Sequence, residues 1–573
     1  MTIRRQAAID GVVPWPDDIA AEYRKAGYWQ DRSIGSYVEA QVAHRPDQVA
    51  VVDGATRLTY RRLWDRAASC AQALLDLGLA PGDRILVQLP NCWEFVALTL
   101  GCLRIGIVPV MALPAHRRHE LTHLAAAAEA VALVVADTDR GTDLRHVAQQ
   151  VAAEVPSVRA VLVHGESSAE PGRSAPEYRL ADALTTTVAF DEAEYAPRGS
   201  DVALMLLSGG TTGLPKLIVR THDDYACNIL RCAEVSEFDS ATVYLGTLPS
   251  SHNFPLACPG ILGALFAGGR TVMLPSPSPQ RALRTIDAEG VTVAAAVPAV
   301  AQVWIEHQRE HAPMRGTTLR VLQVGGSRMP DELAARVEPV LGARLQQVFG
   351  MAEGLINMTR IDDDADVVVS TQGRPVSAAD EILVVDEHGN PVPDGTPGAL
   401  LTRGPYTPRG YFRAPEHNLR AFTPDGWYAS GDIVIRRPDG NLVVAGRDKD
   451  MINRGGEKIS AEEVENFAYQ IDGVEMAAAV AMPDPALGER LCLYLMLRPG
   501  CVVEPADIEA VMEAAGAARF KIPERIESVA AMPMTKVGKI DKKALRDDIR
   551  ARLARTAEST RSPGAECGTA PRG

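Results

Sequence analysis

The chain of 573 residues has no run of basic residues. Its 59 Lys+Arg against 73 Asp+Glu give a formal net charge of −14, so it exerts no general pull on nucleic acid. Long hydrophobic runs are also missing. The most apolar stretch, 256–269, is too short to span a bilayer and contains Pro259 and Gly260. A secretion signal is not expected, because Arg4 and Arg5 are followed by Asp10, Pro14, Asp17 and Asp18, where an apolar segment would be needed. Nine cysteines (70, 92, 102, 227, 232, 258, 492, 501 and 567) are scattered and odd in number. They show neither a disulfide framework nor paired zinc spacing, and they fit a reducing compartment. No internal repeat is visible. The expectation is a soluble, cytoplasmic protein with no nucleic-acid or membrane partner.

Hydrophobic residues make up 46% and charged residues 23%, as in ordinary globular proteins, and the length calls for more than one domain. Leu63, Ala67, Cys70, Leu74 and Leu77 recur at helical spacing after Thr59, and Gly78 ends that run. Pro81-Gly82-Asp83 then turns the chain into a strand over 85–89. Further short apolar strands are predicted at 107–111, 131–136, 159–163 and 202–207 with helices between them, an α/β rhythm with mainly parallel pairing. The first half of 164–200 reads as a surface loop. After residue 380 the texture becomes β-rich, with hairpins over 381–403 and 433–445, the second turning at Pro438-Asp439-Gly440. A small α+β unit follows. Ser460 and Glu463 predict a capping box for a helix to about Gln470, with strands at 474–482 and 491–497 and helices at 506–515 and from Asp541. The predicted organisation is a large N-terminal domain of layered α/β subdomains with a β-rich end (1–448), a small mobile α+β domain (449–555) and a disordered tail (556–573).

Five patches carry chemistry. Ser208-Gly209-Gly210-Thr211-Thr212-Gly213-Leu214-Pro215-Lys216 follows the strand at 202–207 and offers N–H groups, hydroxyls and a cation to phosphate oxygens. No Gly-Lys-Ser/Thr closes it, so it is not a Walker A loop. Phe349-Gly350-Met351-Ala352-Glu353 sets a carboxylate at a strand end. Ser430-Gly431-Asp432 sets an acceptor at an expected hairpin tip. Gly446-Arg447-Asp448-Lys449-Asp450 lies at the expected domain junction, and Pro533-Met534-Thr535-Lys536-Val537-Gly538-Lys539 leaves a lysine before the last helix. Singly, each is an ordinary charged turn; their joint occurrence in this order is not.

Together with His252-Asn253-Phe254-Pro255 and Gly455-Gly456-Glu457-Lys458, these patches resemble, in order, the core motifs of the acyl-adenylate-forming superfamily. The stretches at 252–260, 346–355 and 453–458, with Val13-Pro14-Trp15-Pro16 and Tyr23, Gly27, Tyr28 and Trp29, are similar to its stand-alone aryl acid–AMP ligases. Those enzymes load salicylate or 2,3-dihydroxybenzoate onto carrier proteins in siderophore assembly. The resemblance implies ATP and Mg2+, with Ser208, Gly209, Thr211, Thr212, Gly213 and Lys216 around the phosphates and Glu353 on the metal. It implies Asp432 and Arg447 on the ribose, and Gly325, Gly326, Val348, Phe349 and Gly350 beside the nucleotide. The two glycines would let the backbone approach adenine and the aryl ring.

Lys539 would bridge the attacking carboxylate and the α-phosphate, with His252 and the hinge residue Lys449 as its catalytic companions. The ring pocket would take His252, Asn253, Phe254, Cys258, Gly326, Met351 and Ile356, with Asn253 bonding the hydroxyl ortho to the carboxylate. Cys258 stands where dihydroxybenzoate enzymes carry Ser, and Ile356 where they often carry Val. Both changes disfavour a second hydroxyl and point to salicylate. Met451 departs from the Gln often found there. The small domain would rotate about Lys449, withdrawing Lys539 and presenting 455–458 to a thiol. Only a polar tail follows the last helix, so the expected partner is an aryl carrier protein bearing phosphopantetheine, supplied in trans. A 2,3-dihydroxybenzoate–AMP ligase and an aryl-CoA ligase are the alternatives.

Overall fold

The structure is a computed structural model and describes residues 3–560 except 166–173, 186–190, 192–193, 196, 209–214, 312–316, 448–449, 455–456, 485–486, 515–516, 518 and 536–537. The chain divides into two compact units. The first is 1–430 with 434–444, and the second is 431–433 with 445–573.

The alternating segments of the first unit form two large sheets. One has seven strands in the order Leu217–Thr221, Val202–Leu207, Val108–Met111, Arg84–Gln88, Ala132–Ala136, Ala160–His164 and Glu177–Arg179. All neighbours pair parallel except the first two, whose antiparallel ladder ends at Leu207 opposite Leu217. The other has nine strands and a parallel centre running Arg344–Gly350, Val321–Gly325, Val293–Ala296, Val243–Gly246, Arg270–Met273 and Val49–Asp53. Parallel strands covered on both faces read as unbroken apolar runs, and Val108–Met111, Ala132–Ala136 and Val321–Gly325 are buried throughout. The helix Tyr60–Asp76 starts at Thr59, whose hydroxyl accepts from the Arg62 N–H. It packs Leu63, Ala67, Cys70 and Leu74 into the core beside the helix Trp93–Ile105, whose residues from Phe95 to Ile105 are buried on every side.

The β-rich end is a four-stranded sheet, Glu381–Val385, Pro397–Arg403, Tyr428–Arg436 and Leu442–Arg447. Its second turn closes with the Gly440 N–H on the Arg437 carbonyl and the Arg437 N–H on the Asn441 carbonyl.

The second unit has a five-stranded sheet in which Val474–Asp484 and Gly488–Leu497 form a long antiparallel pair. Its helix Ala461–Tyr469 begins at Ser460, whose hydroxyl accepts from the Glu463 N–H at 3.3 Å. The expected reciprocal arm of the capping box is replaced: both Glu463 carboxylate oxygens accept from the Lys521 ammonium, at 2.7 and 2.8 Å. A nearby cation outcompetes a neutral backbone N–H for a carboxylate. The last helix, Lys542–Thr560, continues past the expected end at 555, and the tail 561–573 lies outside the described residues. No helix among the described residues is long and apolar enough to cross a membrane.

Candidate active site

In sheets of this kind, ligands gather beyond the carboxyl ends of the parallel strands. Several of the singled-out patches of the first unit leave from such ends. Val202–Leu207 runs into Ser208, whose N–H donates to the Lys216 carbonyl and whose hydroxyl accepts from the Lys216 N–H, both at 3.0 Å. These bonds tie the two ends of the glycine-rich loop, while Gly209, Thr211, Thr212 and Gly213 lie outside the described residues.

Arg344–Gly350 pairs antiparallel with Ile356–Met358, with Val348 opposite Met358, Phe349 opposite Asn357 and Gly350 opposite Ile356. The tight connection is closed by the Met351 N–H on the Leu355 carbonyl and the Gly354 N–H on the Met351 carbonyl. It carries Glu353, which is buried. The Glu353 carboxylate accepts from the Tyr411 hydroxyl at 2.8 Å, and the Tyr428 hydroxyl is 3.1 Å from that of Tyr411. The Lys216 ammonium stands 5.4 Å from the Tyr411 ring centroid. Burial and the nearby Glu353 charge push the Tyr411 phenol far up, so it stays a donor. A buried carboxylate oxygen is the hard donor that Mg2+ takes, so Glu353 fits that ion.

The glycine-rich turn after Val321–Gly325 has Gly326 at φ +89°. The expectation for Gly325 needs refining. A Cβ there would lie 2.8 Å from the Val348 carbonyl oxygen and 3.3 Å from Phe254 Cε1, so packing inside the protein already demands glycine.

His252 precedes the short helix Asn253–Ala257, and its imidazole accepts from the Phe254 N–H at 3.2 Å. Asn253 is buried, with its carbonyl oxygen accepting from the Tyr225 hydroxyl at 2.8 Å and its amide nitrogen 3.4 Å from Cys258 Sγ. Tyr225 and Cys258 thus hold the two ends of the amide between them. Cys258 is buried as well and lies against Cys232. The Ile356 Cγ1 would be 3.1 Å from a Cβ at Gly350, so Ile356 covers that glycine.

Behind both groups lies an ion pair that periodicity does not reveal. Arg220 and Asp224 have side chains 0% exposed and meet at 2.6 Å. The same guanidinium donates to the Ala352 carbonyl at 3.1 Å and the Tyr406 carbonyl at 3.2 Å, and sits 4.8 Å from the Tyr225 ring centroid. Arg220 thus anchors the turn that carries Glu353 and backs the tyrosine bonded to Asn253. Sequence reasoning missed Arg220, Tyr225, Tyr411 and Tyr428. A buried charge has no one-dimensional signature; the only cue was Gly410-Tyr411-Phe412-Arg413 interrupting a Pro/Gly-rich loop. The amino-terminal aromatic residues brace that loop. Trp15, Tyr23, Tyr28 and Trp29 pack edge to face, and the Trp29 indole N–H donates to the Pro405 carbonyl at 2.8 Å.

Asp432 departs from expectation. It lies buried within the strand Tyr428–Arg436, not at a hairpin tip, because the turn falls later at 437–440. Arg447 ends the strand Leu442–Arg447, and its side chain, like the whole of Lys449, lies outside what the structure describes. The boundary between units falls at 444/445, earlier than the expected 448/449. The strands Ile452–Arg454 and Glu457–Ile459 pair antiparallel and flank residues 455 and 456, which are not described. Lys539 sits in a loop of the second unit between Met534 and Ile540, which form a β-bridge. Its N–H donates to Thr535 Oγ1 at 3.1 Å, and its carbonyl accepts from the Thr535 N–H at 2.6 Å.

Two family descriptions match the chain: AMP-binding enzyme over residues 38–412 and AMP-binding enzyme C-terminal domain over 463–539. The chain belongs to this family of adenylate-forming ligases. It is 56% identical over 546 residues to a salicylyl-CoA synthase / salicylate adenylyltransferase of Streptomyces sp, covering 94% of this chain and 98% of that protein. It is 45% identical over 542 residues to a salicyl-AMP ligase / salicyl-S-ArCP synthetase of Mycobacterium tuberculosis, covering 94% of each. The apo structure of MbtA from Mycobacterium smegmatis matches with a TM-score of 0.72 and 46% identity, over 94% of this chain and 98% of that one.

Proposed function

We propose that the chain converts salicylate and ATP to salicyl-AMP and pyrophosphate, then passes the acyl group to the phosphopantetheine thiol of a carrier protein. The observation that carries the reading is the Tyr225–Asn253–Cys258 arrangement: a buried amide held between a phenol and a weakly polar thiol. An ortho hydroxyl finds a partner in Asn253, while a second hydroxyl near Cys258 meets a poor one.

In the first step a carboxylate oxygen attacks the α-phosphorus and pyrophosphate leaves. Two anions must meet, so positioning and cations dominate. Lys216, with Ser208, Gly209, Thr211, Thr212 and Gly213, holds phosphate oxygens, and Glu353 would hold Mg2+. Bound there, the ion would neutralise phosphate charge. Asp432 and Arg447 take the ribose, Gly326, Val348, Phe349 and Gly350 flank the nucleotide, and Lys539 bridges the carboxylate and the α-phosphate. His252, Phe254, Met351 and Ile356 complete the ring pocket. In the second step a thiolate attacks the acyl carbon and AMP leaves, with the second unit turning about Lys449 to exchange Lys539 for the segment 455–458.

The 56% identical relative is named for CoA as well as for adenylation, which supports coenzyme A as the second acceptor to test. The test is pyrophosphate exchange across benzoates and picolinates, followed by thiolysis with coenzyme A and with a phosphopantetheinylated aryl carrier protein. Salicylate should give the highest kcat/KM and the carrier the faster transfer. Preference for a ring without an ortho hydroxyl refutes the pocket reading, and faster transfer to coenzyme A refutes the acceptor.

A further inference from the structure

We infer that Tyr411 is a two-sided positioning residue, holding the Glu353 carboxylate with its hydroxyl and the Lys216 ammonium with its ring. The inference rests on the proposed roles of Glu353 at the metal and Lys216 at the phosphates. Three observations carry it. The Tyr411 hydroxyl lies 2.8 Å from the Glu353 carboxylate oxygen, and the Tyr428 hydroxyl lies 3.1 Å from that of Tyr411. A phenol has one proton. That of Tyr411 goes to the carboxylate, so Tyr428 donates to the Tyr411 oxygen and the chain runs Tyr428 to Tyr411 to Glu353. Finally, the Lys216 ammonium is 5.4 Å from the centroid of the same ring, within cation–π range.

The residue is itself fixed. Its ring meets Phe422 and His417 edge to face, its N–H donates to the Asn418 side chain at 2.8 Å, and it bridges to Ile218 across the strand Leu217–Thr221. One rigid ring therefore orients two groups of opposite charge. The carboxylate keeps one oxygen bonded to a neutral donor, and the ammonium rests on a face that leaves its N–H groups available to phosphate. Outer partners of this kind commonly tune metal affinity by about 10- to 100-fold.

The test measures Mn2+ binding to the full-length, ATP-saturated protein by the electron paramagnetic resonance signal of free Mn2+, and ATP binding without metal by calorimetry. Tyr411→Phe keeps the ring and should weaken Mn2+ by about tenfold or more while leaving metal-free ATP binding unchanged. Tyr411→Leu, which also removes the ring, should weaken metal-free ATP binding too. Tyr428→Phe shortens the chain by one donor and should weaken Mn2+ by a smaller factor; it carries the test if the Tyr411 variants fail to fold. Wild-type Mn2+ affinity in Tyr411→Phe overturns the inference, as does equal loss of metal and metal-free ATP binding. Glu353→Gln separates the two levels. If it also leaves Mn2+ affinity intact, the metal role of Glu353 has failed; if it weakens Mn2+ and Tyr411→Phe does not, only the inference about Tyr411 falls.

Discussion

Two ion pairs, one from each unit, show what enclosure does to a charge. In the first, Arg220 and Asp224 are fully enclosed, and the guanidinium serves two backbone carbonyls and a tyrosine face besides its partner. In the second, Lys521 and Glu463 meet at the surface with side chains 23% and 38% exposed, and Lys539 sits in a loop closed by bonds to Thr535. An enclosed charge is tolerated only if every bond is made, and so it fixes its surroundings. A solvated one fixes little.

Removing the enclosed cation should have the largest effect. Arg220→Met leaves Asp224 buried and unpaired, and should cost about 3–5 kcal/mol in a urea titration. A loss below about 1 kcal/mol would break the comparison at its root. Lys539→Ala should lower pyrophosphate exchange by about 100- to 1000-fold yet leave transfer from presynthesised salicyl-AMP to the carrier thiol near wild type. Equal loss of both half-reactions would refute the assignment of that lysine to the first. Lys449→Pro should do the reverse by restricting the proposed hinge.

In the ring pocket, Asn253→Ala should cost about 1–3 kcal/mol, roughly 5- to 150-fold, with every ortho-hydroxy acid. Cys258→Ser should shift kcat/KM toward 2,3-dihydroxybenzoate without altering the ATP dependence, and no shift would discard the specificity argument.

His222 tests the enclosed region through pH. Burial lowers its pKa from 6.5 to about 3, while its Nδ1 accepts from the Ile34 N–H. Below 6.5 the unfolded chain takes a proton that the folded one refuses. Stability should therefore fall as pH drops from about 6.5 toward 3, by up to about 1.4 kcal/mol per unit. His222→Asn should flatten that limb in unfolding measured across pH, and an unchanged slope would assign the acid sensitivity elsewhere. Lys521→Met should matter least, about 0–1 kcal/mol, because a solvated pair gains little.

Sequence alone determined the alternating elements, because apolar periodicity and glycine or proline stops are local. The strand at 202–207, the helix after Thr59 and the hairpins after 380 all lie where the pattern puts them. It also offered Ser208, Asn253, Glu353, Asp432 and Lys539 as candidates, through a resemblance in residue type and order along the chain. Tertiary structure alone decided how such groups are held. Tyr411 lies 58 residues from Glu353, and Arg220 lies 132 from Ala352, and no local pattern encodes a bond across that distance. It likewise moved Asp432 from a turn into a strand and gave Glu463 to Lys521 instead of its own helix cap. Each outcome turned on which partner was nearest once the chain had folded.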